Sequence, residues 1–167
     1  MKINDDHLYH GAALTQVAEH PQFTAINAFD SGQGISRSSF LINHDVGLYL
    51  KYASKPNKPY SEYLFTFTKS HLKELAAVSN KSKKTFIALI CVKDRQVCCL
   101  SLDEIVEIIS ERKKAKGASE KSYSVLVTCP KGKKLRAYLN APDAKKKRLT
   151  QKLLSRGAFP KVLFPEP

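Results

Sequence analysis

Three times along this chain, two segments of period-two alternation are joined by a turn of a few residues, and a segment with helical spacing follows. A connection that short leaves no room for a crossover, so each pair must be an antiparallel hairpin. In the first unit, Ser38–Asn43 and Gly47–Ala53 flank the turn His44-Asp45-Val46-Gly47; a Pro-rich loop, Ser54–Pro59, leads to a strand at Tyr63–Thr68 and a helix at Ser70–Val78. In the second, Phe86–Val92 and Gln96–Leu100 meet across Lys93-Asp94-Arg95. Its helix opens on Ser101 with Glu104 three residues on, the pattern of a capping box, and carries Leu102, Ile105, Val106 and Ile109 as one apolar stripe. In the third, Tyr123–Thr128 and Lys133–Leu139 flank Cys129-Pro130-Lys131-Gly132. Asn140, Pro142 and Asp143 then read as the start of a last helix that stops at Gly157.

A helix over residues 8–19, ended by Pro21, precedes these units, and Phe29–Gly34 reads as a flexible loop. Hairpins separated by helices predict an α+β fold: a single domain over residues 1–167 with a largely antiparallel sheet and helices packed on it. The units fall at about 36–78, 85–112 and 122–156, and residues 112–121, with no apolar side chain larger than Ala, read as a mobile basic loop. A length of 167 residues at 43% hydrophobic content suffices for a proper core.

The longest apolar run, Phe86–Val92, falls far short of the roughly 18–20 residues that span a bilayer, so no membrane span is expected. The polar, acidic start Met1–His7 does not resemble a signal peptide, which predicts a cytoplasmic protein whose Cys91, Cys98, Cys99 and Cys129 are thiols. These cysteines lack paired Cys-x-x-Cys spacing and neighbouring histidines, and His7 and His10 are an isolated pair, so no metal site is expected.

Charge separates the chain into unlike parts. Residues 1–50 carry two basic and five acidic side chains, residues 51–110 ten and six, and residues 111–167 sixteen and four, so nearly all of the net +13 lies in the last third. Like charge packed this densely repels itself and predicts a polyanionic partner, DNA or RNA. On the strand Lys133–Leu139, Lys134, Arg136 and Tyr138 share one face, with Lys131 in the turn before it; the expected helix adds Lys145, Lys146, Lys147, Arg148 and Lys152. Lysines and arginines would neutralise phosphates, while Arg136 and Tyr138 would suit stacking on unpaired bases. The segment after Lys145 lacks the aromatic and bulky apolar face of a membrane anchor. Lys145–Arg148 would serve as a nuclear-import signal in a eukaryotic chain. An acidic protein partner is the alternative occupant of such a surface; the oligomeric state is not legible.

Phosphate-binding glycine loops, a nucleophile elbow and a His-Glu-x-x-His pattern are absent, so no cofactor is expected from them. A helix, a hairpin and a second helix in a basic chain resemble the broad nuclease superfamily that uses an aspartate, an Asp/Glu-x-Lys strand and often a helical glutamate. That resemblance assigns Glu19, Asp45 and Lys51 as the catalytic set, with Mg²⁺ between the carboxylates and the lysine aiding the nucleophile. The chain departs from the pattern at Tyr49, where the acid two residues before Lys51 should stand.

Overall fold

The computed structural model describes residues 1–166, with the side chains of Lys145 and Lys146 outside the described set. In chain order the elements are α1 (Asp5–Ala18), β1 (Ile26–Asp30), β2 (Ile35–Ile42), β3 (Val46–Ala53), β4 (Glu62–Thr68), α2 (Lys69–Asn80), β5 (Lys84–Cys91), β6 (Gln96–Ser101) and α3 (Leu102–Lys116). There follow β7 (Ser122–Thr128), β8 (Leu135–Tyr138), β9 (Asn140–Ala141), β10 (Ala144–Arg148), β11 (Lys152–Leu154) and a 3-10 turn at Lys161–Leu163. The fold is α+β and mostly antiparallel, with the helices packed on sheets.

Two sheets share the work of one. The larger has the order β1-β2-β3-β5-β6 and the second β11-β8-β7-β4, while β9 and β10 form a separate two-stranded ribbon. In the larger sheet β3 and β5 pair in parallel, Tyr49 opposite Ile87 and Lys51 opposite Leu89. Their connection contains β4 and α2, which is long enough for a crossover where the other links are hairpins. Meanwhile β4 leaves its hairpin partners and joins β7, with Phe65 opposite Val125.

Alternation along β3 decides the layers. Leu48 and Leu50 face α1, where Ala13 and Val17 pack with Phe159, Leu163 and Phe164 from the end of the chain. Tyr49 points the other way, into a core shared with Tyr63, Phe65 and Phe67 of β4, Val125 and Val127 of β7, and Leu135 and Ala137 of β8. Leu75 of α2 and Ile105, Ile108 and Ile109 of α3 close that core. The layers are therefore helix, sheet, sheet, with two helices sealing the space between the sheets.

Three sequence expectations need correction. Residues 112–116 are not a loop: they continue α3, whose stop is Gly117 at φ +77. Arg112 anchors this end, with Nε and Nη2 donating to Glu120 at 2.7 and 2.9 Å and Nη1 to the Asn140 carbonyl at 2.7 Å. Phe29 and Asp30 complete β1, so the loop is shorter than read. The expected helix over residues 140–156 is strand and turn. Pro142 and Asp143 make the bend between β9 and β10, and Lys152, Leu153 and Leu154 pair with Ala137, Arg136 and Leu135 along the free edge of β8. Four successive cations would repel across the turns of a helix, and only Leu149, Leu153 and Leu154 could anchor one. The exposed edge of β8 offered ladder hydrogen bonds instead.

Candidate functional site

At one end of the sandwich four chain segments converge: the loop after β3, the β5–β6 turn, the β7–β8 connection and the residues following β11. Between them lie two adjoining cavities of about 520 and 730 Å³, both touching Asp94 and Cys129. The first is lined by Pro56, Tyr60, Lys93, Arg136 and Arg148 among others, the second by Lys131, Lys133, Lys134 and Arg156. Seven cations thus border one groove, and among the described residues Asp94 is the single acid lining it.

The groove is held open by specific bonds. Arg156 donates from Nε to the Lys133 carbonyl at 2.8 Å and from Nη2 to the Pro130 carbonyl at 2.5 Å, fixing the β7–β8 connection. Gly132 sits at φ +71, in the left-handed region that glycine enters without steric cost, and lets the connection turn back. Asp94 accepts a hydrogen bond from the Tyr63 hydroxyl and returns one from its own N–H at 3.0 Å. That acid is engaged, and burial together with this bond pushes the Tyr63 phenol up from its usual pKa.

Of the residues the sequence nominated, Lys131, Lys134, Arg136 and Arg148 line the groove. Tyr138 does not: it is 0% exposed, its hydroxyl is bonded to Glu62, and the Arg148 guanidinium covers its ring at 4.5 Å. It cannot stack on a base without losing that cover. Lys152 is ion-paired with Glu107 of α3, and Lys147 is exposed on β10. The side chains of Lys145 and Lys146 lie outside the described residues. Sequence reasoning missed Lys93, Lys133, Arg156 and Tyr60 as groove residues. The adjacent Lys93-Asp94-Arg95 turn was visible, but its position beside the C-terminal hairpin depends on sheet-to-sheet packing. Tyr60, 46% exposed, is the aromatic ring this groove actually presents.

The proposed catalytic set is not assembled. Asp45 lies in the turn before β3, within 4.0 Å of Lys83, and six residues of extended chain put it about 20 Å from Lys51. Glu19 caps the C-terminus of α1, on the opposite face of the sheet from the side chain of Lys51. The carboxylate whose charge acts on Lys51 is a different one. Glu74 of α2 accepts from Ser39 Oγ at 2.7 Å and Ser36 Oγ at 3.1 Å, both on β2. Lys51 is half-buried with its Nζ 5.2 Å from the Phe67 ring centre; burial lowers its pKa, and the Glu74 charge opposes that shift. Burial, and then the same carboxylate, raise the Tyr49 phenol, whereas burial first and then Lys51 lower His71. No sequence spacing links Lys51 to Glu74; the crossover through α2 brings them together.

Among the described residues no group of three or more His, Cys, Asp or Glu side chains is placed to hold a metal ion. No helix among them is long and apolar enough to cross a membrane. Compared with protein-family models, curated proteins and solved structures, the chain matches none.

Proposed function

We propose that this protein binds DNA or RNA in the cationic groove between the β5–β6 turn and the β7–β8 connection. The observation that carries the reading is the convergence, among the described residues, of seven cations on two adjoining cavities whose one acid is already bonded to Tyr63. Such an arrangement neutralises successive phosphates, and the resulting affinity comes from counterion release. Arg136 and Arg148 present planar guanidinium groups to phosphate oxygens, and Tyr60 offers a stacking surface to an unpaired base.

The test is a titration of labelled single- and double-stranded DNA and RNA at several salt concentrations. Combined reversal by Lys131→Glu, Lys134→Glu and Arg136→Glu should weaken binding at least about tenfold, without altering sequence preference. Absence of binding at low salt, or binding no stronger than that of an unrelated protein of equal charge, would defeat the proposal and favour an acidic protein partner.

A second reading, phosphodiester cleavage, is favoured by one observation: a Glu74 carboxylate held by two serines whose charge acts on the half-buried amine of Lys51. One carboxylate does not make a cage for Mg²⁺, so no metal-borne step follows from these residues. Their own chemistry is anion holding by Lys51 and proton acceptance by Glu74. Cleavage abolished by Lys51→Ala and by Glu74→Gln, in protein that still binds, would establish it. Substrate left intact with and without Mg²⁺ leaves binding as the function.

A further inference from the structure

We propose that Tyr138 and Glu62 are positioning residues that hold the Arg148 guanidinium ready for a phosphate in the cationic groove. The inference rests on the nucleic-acid reading and adds to it which cation is organised in advance. Alternation along β8 puts Leu135 and Ala137 in the core between the sheets, so Arg136 and Tyr138 lie on the outer face. Tyr138 is nonetheless fully buried, with the Arg148 guanidinium over its ring at 4.5 Å. The ring is fixed in turn, because its hydroxyl donates to the Glu62 carboxylate on β4, reaching past β7. Arg148 is also held in its main chain. The β9–β10 ribbon sets it opposite Asn140, and the next N–H, that of Leu149, donates to the Leu139 carbonyl at 2.9 Å.

This arrangement orders Arg148 without engaging its donors. Arg112 commits its N–H groups to Glu120 and the Asn140 carbonyl, and Arg156 to the Lys133 and Pro130 carbonyls. Arg148 is held through a ring face instead, a contact that rests on charge and leaves the N–H groups to phosphate oxygens. It lines the first cavity together with Arg136, Lys93 and Tyr60. A mobile arginine loses rotamer freedom when it grips a phosphate; one already held loses little, so its contact is stronger by that difference. A lysine at this position would offer a point charge and no planar fork. Glu62 makes the inference sharp. It follows Ser61, which lines the first cavity, and on net charge alone a carboxylate there weakens polyanion binding. A carboxylate that fixes Tyr138 under Arg148 strengthens it.

The experiment follows fluorescence anisotropy of a labelled single strand, as DNA and as RNA, at low salt. Each variant is measured alone and combined with Arg148→Ala. Arg148→Ala should weaken binding about tenfold, and Arg148→Lys nearly as much. Tyr138→Leu and Glu62→Ala should each weaken it about threefold in the otherwise wild-type chain and not at all once Arg148 is replaced, since both act through that guanidinium. Tyr138→Phe keeps the ring and should stay within about twofold of wild type. Glu62 is half-buried on β4 and outside the core, so its variant keeps the proposal testable if Tyr138→Leu fails to fold. Losses that add to that of Arg148→Ala, or a Glu62→Ala chain that binds as tightly as wild type or tighter, would overturn the positioning role and leave the groove as the binding site. A wild-type chain that binds neither strand overturns the nucleic-acid reading and this role together.

Discussion

Gly47 illustrates how tightly single positions are specified. An added Cβ would meet Val78 Cγ1 at 2.5 Å and Ser82 Oγ at 2.9 Å, so α2 would have to back away from β3. Gly47→Ala should cost about 1–3 kcal/mol, seen as a lower midpoint in thermal unfolding with binding retained at low temperature. His10 makes a second prediction. It is 6% exposed, Nδ1 lies 3.1 Å from the Arg37 carbonyl, and burial lowers its pKa, assisted by Lys51 and opposed by the Arg37 hydrogen bond and by Asp6. The folded state therefore binds a proton less readily than the unfolded chain. The stability this gives is complete above the unfolded pKa of about 6.5 and is lost as pH falls through the lower folded value. Unfolding measured from pH 7.5 down to 5 should show that loss, and His10→Gln should flatten the profile. Tyr60→Ala should weaken single-stranded binding by about 1–3 kcal/mol and leave duplex binding nearly unchanged; equal loss on both would remove the stacking role.

Among the elements, α3 was legible because its signals are local. The Ser101 side chain accepts from the Glu104 N–H at 3.2 Å, and Glu104 returns the bond to the Ser101 N–H at 3.0 Å. Ser101→Ala should lower stability by about 1 kcal/mol, readable in urea unfolding with the slope unchanged. By contrast, the segment from Asn140 onward had locally acceptable helix signals that its neighbours overruled. A β-edge waiting at β8, and Leu149 and Leu154 packing against the core between the sheets, outweighed a weak amphipathic pattern. Lys113 and Arg112 show the same effect in reverse. Their lack of apolar neighbours suggested a loop, yet the Arg112 fork to Glu120 and the Asn140 carbonyl carries the helix to Gly117.

For the whole molecule, charge placement governs the expected behaviour. If about six groove cations engage phosphates, log affinity should fall with log salt at a slope of about −5 on duplex DNA, and reversing one groove cation should reduce that slope by about one. A slope near zero in an anisotropy series would mean the groove is not where phosphate sits.

From the sequence alone came the α+β class, the three hairpins, the existence of α2 and the concentration of positive charge in the last third, because turns, capping residues, alternation and net charge are properties of neighbouring residues. Only the tertiary structure decided which cations share a surface. It brought Lys93 of the β5–β6 turn to Arg136 and Arg148, turned Tyr138 inward beneath Arg148, and made Glu74 rather than Asp45 the carboxylate whose charge acts on Lys51. Those outcomes depend on how two sheets pack and on one parallel crossover, and long-range pairing of that kind leaves no periodic trace along the chain.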